Sequence, residues 1–184
     1  GRSRVETQAA DHDFHPAEVL TPQGILVPAH GELHLAFTPS KATADFEVDV
    51  LEHWWQAARD RYPTVHILVL NLDNGPEHHS RRTQFIYRIV DFVDRYQITV
   101  RLAYYPPYHS KYNPVERCWG ILENHWNGSL LDSREAVLGF ANSMTWKGQH
   151  PSVTLTEQTY EIGQRRTPAE MKELEKRLHR DPDL

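Results

Sequence analysis

The apolar run from Val65 to Leu72 stops abruptly at Asp73, which opens the turn Asp73-Asn74-Gly75-Pro76. Forty-three residues later, the run Tyr104-Tyr105-Pro106-Pro107-Tyr108-His109-Ser110-Lys111-Tyr112-Asn113-Pro114-Val115 delivers Glu116 into the first turn of a helix. A carboxylate at a strand end and another at a helix start can share a divalent cation. A centre of that kind cuts phosphodiesters without any nucleophilic side chain. Each acid also has a plainer reading. Asp73 has the residue type and place of a turn cap. Glu116 lies three residues after Asn113, where a glutamate commonly reaches back to cap its own helix. Glu123, two turns further on, reads as a solvated helix residue.

Lys111, His109, Arg117, Arg81, Arg82, His78 and His79 surround the two acids in sequence. Together they would form a local cationic rim of the kind a phosphate backbone needs. Taken singly, each is an ordinary solvated charge. The 12 histidines invite a zinc reading, with Asp11, His12, Asp13 and His15 closest together. No His-Glu-x-x-His motif occurs, and the single cysteine, Cys118, cannot build a cysteine-rich zinc site. The tryptophans Trp54, Trp55, Trp119, Trp126 and Trp146 fall mostly on helical stripes, which marks them as core rather than base-stacking platforms.

The elements that must position these groups follow from periodicity. Residues 24–27 and 32–37 read as a hairpin around Ala29-His30-Gly31. A helix is predicted over about residues 43–62, with Thr43 as N-cap and Phe46, Val50, Trp54 and Ala58 recurring every four residues. Pro63 ends it. Residues 65–72 form a nearly continuous apolar run rich in branched residues, for which a strand buried on both faces is expected. A second helix is predicted over residues 80–96, a strand over 98–104, and a helix over 114–126 with Asn113 as cap and Pro114 in its first turn. The stripe of that helix is Val115, Trp119, Leu122 and Trp126. Further helices are predicted over residues 133–144 and from the capping box Thr167-Pro168-Ala169-Glu170. Strands alternating with helices imply an α/β fold with a mixed, largely parallel sheet flanked by helices.

With 184 residues, 39% of them hydrophobic and 24% charged, the chain has enough material for a real core. A net charge of −5 means that any nucleic-acid contact must come from a local basic patch. One cysteine excludes an intramolecular disulfide and fits a reducing compartment, so a cytoplasmic location is expected. No segment is apolar for long enough to span a bilayer.

The combination is more specific than its parts. Leu72-Asp73-Asn74-Gly75-Pro76-Glu77, the run Pro106 to Glu116, and Trp119 resemble the DDE transposases of bacterial insertion sequences, in particular the ISAzo group, distantly similar to the Tc/mariner elements. Asp11-His12-Asp13-Phe14, Ser40 to Phe46, the Trp54-Trp55 pair, His125-Trp126-Asn127-Gly128, Thr145-Trp146-Lys147-Gly148 and Tyr160-Glu161-Ile162-Gly163 extend the likeness over essentially the whole chain.

That resemblance implies a ribonuclease H-like catalytic core over residues 1–150 and a C-terminal extension over residues 151–184 ending in a helix. It implies DNA cleavage and strand transfer with two magnesium ions, manganese substituting, and DNA as partner of a homodimer or larger assembly. Asp73 would be the second metal-binding acid and Glu116 the third. Lys111, His109, Arg81, Arg82 and Arg117 would contact DNA. The first acid of such proteins lies on the central strand of the sheet, before a turn that Gly1-Arg2-Ser3-Arg4 resembles. The chain is therefore expected to lack that aspartate, that strand and the N-terminal DNA-binding region. Asp11 and Asp13 fall downstream of it in the family's pattern. On this expectation the hairpin and the 65–72 strand lose a shared neighbour, the chain alone is marginally stable, aggregation-prone or completed by another chain, and it is inactive in strand transfer. Two competing readings are a remnant that binds DNA or a partner without catalysis, and a nuclease that only hydrolyses.

Overall fold

The computed structural model describes residues 19–73, 82–105 and 113–180. Strands β1 (Thr21–Val27) and β2 (Glu32–Thr38) form the hairpin, antiparallel, with Thr21 opposite Thr38 and Val27 opposite Glu32. Its turn needs Gly31, whose φ of +69° is a left-handed conformation that side chains resist. Strand β2 is buried along almost its whole length because it is central. On its second side it pairs in parallel with β5 (Ser152–Leu155), His34 opposite Ser152 and Phe37 opposite Leu155. Periodicity alone did not predict β5, since its four residues alternate with serine and threonine and follow a proline.

Helix α1 (Ala44–Ala58) starts as predicted: the Thr43 hydroxyl accepts the Phe46 N–H at 3.2 Å. Asp45 and Glu47 sit in the first turn, where the helix dipole favours acids. Phe46, Val50 and Ala58 of the predicted stripe are buried, whereas Trp54 is only partly covered and Val48, Leu51 and Trp55 complete the face. The α-helix stops four residues short of the predicted end, and a 3-10 turn (Arg59–Arg61) leads to Tyr62. Helix α2 (Thr83–Tyr96) packs beside α1. Their polar flank is joined by Arg88, which donates to Asp45 at 2.7 Å and to Asp49 at 2.5 Å.

Strand β3 (Ile67–Leu72) and strand β4 (Thr99–Tyr104) flank α2 in sequence and pair in parallel, Ile67 opposite Thr99 and Leu72 opposite Tyr104. Leu68, Leu70, Leu72, Val100 and Leu102 pack onto Val48, Leu51, Trp55, Phe85, Ile89 and Phe92. The expected burial of β3 on both faces does not hold. Ile67 and Val69 are each 50% exposed, and β3 pairs only with β4 among the described residues. The described strands thus form two sheets, β1-β2-β5 and β3-β4, rather than one. The physical reason is that no described element lies along the free edge of β3.

Helices α3 (Pro114–Trp126) and α4 (Arg134–Ser143) cover the other face of the hairpin sheet. Leu33, Leu35 and Phe37 meet Cys118, Leu122, Ala141 and Met144 there. The last helix, α5 (Pro168–Glu175), begins with the predicted capping box, Thr167 and Glu170 bonding reciprocally. This is a mixed α/β architecture with helices on both sides of small sheets, in coarse agreement with a ribonuclease H-like layout. No helix among the described residues is long and apolar enough to cross a membrane.

His34 illustrates how burial sets protonation. It lies on β2, 7% exposed, with its Nδ1 and the Ser152 hydroxyl 2.9 Å apart. Burial, and then the neighbouring His53, push its pKa from 6.5 down to about 4. A folded-state value below the unfolded one means that the neutral ring is favoured in the native chain. The stabilisation is complete above about pH 6.5 and is lost as pH falls towards 4. The expected loss is about 2–3 kcal/mol, read as a fall in denaturant midpoint across that window, and His34→Gln should flatten it.

Candidate metal centre

The chain geometry brings the two acids of the sequence argument to one place. Leu72 is the last residue of β3, and its carbonyl accepts the Tyr105 N–H at 2.9 Å, so the strand is held by β4 up to the residue before Asp73. Asp73 therefore leaves the carboxyl end of a pinned strand, where ligands of α/β sheets bind. Glu116 sits in the first turn of α3, its N–H donating to the Asn113 carbonyl at 3.1 Å. Pro114 presets that turn, since its fixed φ and missing N–H suit the start of a helix.

Both carboxylates line a cleft of about 430 Å³ between β1, the end of β3 and α3. Pro22, Gln23 and Gly24 of β1 form one wall; Asn71, Leu72 and Asp73 form another; Asn113, Val115, Glu116, Trp119, Glu123 and Trp126 complete it. The helix is anchored beneath by Cys118 and Leu122, both essentially inaccessible, so Val115, Trp119 and Trp126 of the predicted stripe are left half-buried on the cleft side.

Glu116 itself is exposed. Partial desolvation by its surroundings, then the charges of Asp73 and Glu123, hold its carboxyl above the usual range. The plainer capping reading of Glu116 has no support at this helix start: Asn113 makes no side-chain cap, in contrast to the box at Thr167. Glu123 was read as merely solvated, yet it faces the same cleft. The signal for it was its spacing of seven residues from Glu116, which returns to the same helix face.

The donor chemistry fits a hard cation: two carboxylates that repel each other, with the amide-bearing Asn71 and Asn113 beside them. Among the described residues, however, no group of three histidines, cysteines or acids is arranged to hold a metal. Of the predicted cationic rim, Arg82 is half-buried at the start of α2 and Arg117 is exposed on α3, and neither lines the cleft. Lys111, His109 and Arg81 lie outside the described residues, as do His78, His79, Asp11 and Asp13.

A second cleft, of about 460 Å³, lies between α1, β2 and β5. Its acids already have partners: Asp49 takes Arg88 and the Tyr160 hydroxyl, Glu52 takes Arg95, and Glu157 takes Arg134. It holds neither of the two acids singled out in the sequence.

Close approach at Gly24 fixes α3 against β1. A Cβ there would stand 2.8 Å from Trp119 Cζ2 and 3.2 Å from Val115 Cγ2. The Gly24→Ala variant should therefore lose about 1–3 kcal/mol, because the indole must be pushed aside. An unchanged chemical-denaturation midpoint would show that α3 sits more loosely than this packing requires.

A family model described as a Rhodopirellula transposase DDE domain matches residues 1–184. No curated protein and no solved structure matches the chain.

Proposed function

The chain belongs to the transposase DDE-domain family, and on that premise we propose that it supplies the catalytic core for DNA strand cleavage and strand transfer in the transposition of an insertion sequence. The observation that carries this reading is the meeting of Asp73 and Glu116 in one cleft, at a strand end and a helix start. In this proposal the two carboxylates hold magnesium or manganese. The bound ions supply a polarised phosphoryl oxygen and an activated water or 3′-hydroxyl.

The chain's own residues do the rest. Asp73 at the end of β3 and Glu116 at the start of α3 would hold the cation. Trp119 and Val115 wall the cleft and restrict water. Lys111, His109, Arg81, Arg82 and Arg117 attract the phosphate backbone and fix its register. On this reading residues 1–150 are the core and residues 151–184 an extension, whose β5 adds a strand to the core sheet beside β2. Two DNA ends imply a homodimer or larger assembly, acting on DNA in a bacterial cytoplasm.

Calorimetric titration with manganese and magnesium tests the site. Saturable binding that disappears in Glu116→Gln is the expected result; identical heats from both proteins would reject it. A second reading, a remnant that binds DNA or a partner without catalysis, draws on the lack of a third metal-binding group among the described residues. DNA binding that is insensitive to divalent cations and to Glu116→Gln would favour it.

A further inference from the structure

Residues 165–180 carry six arginines and lysines against three glutamates, a net charge of +3 in a chain whose total is −5. This segment contains α5 and lies along α2. It starts after a fixed point. Tyr160 is buried, its N–H donates to the Ser40 hydroxyl at 3.1 Å, and its own hydroxyl donates to Asp49 at 3.1 Å. Between that point and the segment, residues 161–164 are all exposed. Gly163 has a φ of +79°, and nothing would stand within 4 Å of a Cβ there.

The grip of this segment on α2 is mostly polar. Arg166 donates its backbone N–H to the Thr83 hydroxyl at 3.0 Å and its Nε to Gln84 at 2.9 Å, with its guanidinium 3.6 Å from the centre of the Tyr87 ring. At the other end, Arg177 donates to Asp94 from both terminal nitrogens, at 2.6 and 2.5 Å. Both residues of that pair are exposed. No residue of α5 is buried, and Met171, Leu174 and Leu178 are only half-covered. Exposed ion pairs contribute little to stability. An eight-residue helix does not persist once detached.

We propose that residues 165–180 are a strap that exchanges its grip on α2 for the phosphate backbone of DNA. The proposal rests on the reading that this chain acts on DNA. Phosphates neutralised by the strap's cations release condensed counterions, a gain that the contact with α2 does not offer. Arg177 cannot hold Asp94 and a phosphate at once, because both of its terminal nitrogens are taken by the carboxylate. Docking on α2 and binding to DNA therefore compete, and Asp94 sets the balance between them.

The test is the affinity of the full chain for a random-sequence DNA duplex across a range of salt concentrations, with hydrogen exchange on the free protein. Asp94→Asn opens the strap without touching a cation, so it should tighten binding about two- to fivefold. It should also speed exchange of the α5 amides by a similar factor and leave β2 unchanged. Asp60→Asn makes the same change in net charge at an exposed site and should tighten binding less. Arg177→Gln opens the strap too, yet it should weaken binding about threefold or more and lower the slope of log affinity against log salt by about 1. Changes of the same sign in Asp94→Asn and Arg177→Gln, equal tightening by Asp60→Asn, an unaltered salt slope, or α5 amides that exchange as slowly as those of β2 would each overturn the inference and leave DNA binding itself intact. A wild-type chain that does not bind DNA would overturn it together with the reading beneath it.

Discussion

In a transposase carrying this domain, Asp73→Asn should lower the rate of metal-dependent strand cleavage about a thousandfold, since a bound cation contributes several kcal/mol to phosphoryl transfer. The substitution keeps the side chain's size and removes its charge. The fold should therefore survive, and a single-turnover cleavage assay reads the chemistry directly. Glu116→Gln should have the same effect on rate and an opposite one on stability. The Glu116 carboxyl is held above its ordinary range by desolvation and by Asp73 and Glu123. A folded-state pKa above the unfolded value penalises the charged form, so the penalty is present at neutral pH and relieved as pH falls. Removing that charge should raise the unfolding midpoint at neutral pH in cation-free buffer, and added magnesium should stabilise the wild type but not the variant. A variant that cleaves at the wild-type rate would remove Glu116 from the reaction.

The second large effect is structural. Leu122 is fully buried where α3 meets β2 and α4. Leu122→Ala should cost about 2–5 kcal/mol, the transfer term plus the cavity it leaves. For a domain of ordinary stability that is a large fraction of the total. The loss should be visible in chemical denaturation, and because α3 carries Glu116, cation affinity should fall with it. A loss of affinity in Leu122→Ala without a loss of stability would mean that the helix shifts instead of loosening.

Much of this arrangement was legible in the residues. Thr43 and Thr167 announced their helices through capping chemistry that depends on neighbours three positions away, which a sequence displays directly. The convergence of Asp73 and Glu116 was legible because a strand end and a helix start are both marked by local residue types. What escaped depended on distant partners. Strand β5 exists because β2 offers it an edge, and nothing in Ser152-Val153-Thr154-Leu155 announces that edge. The uniform apolarity of Ile67 to Leu70 implied cover on both faces, whereas the outer face of β3 stands open. The role of Gly24 was invisible too, since its contact with Trp119 joins residues far apart in the chain.

Cys118 gives the molecule a built-in clock. It is the only cysteine in the chain, 1% exposed on α3, with its thiol pushed up to about 11 chiefly by burial. Alkylating reagents attack thiolates, so they must wait for that helix to lift from β2. The labelling rate of native material therefore times the detachment of the one segment that carries Glu116, without any engineered probe.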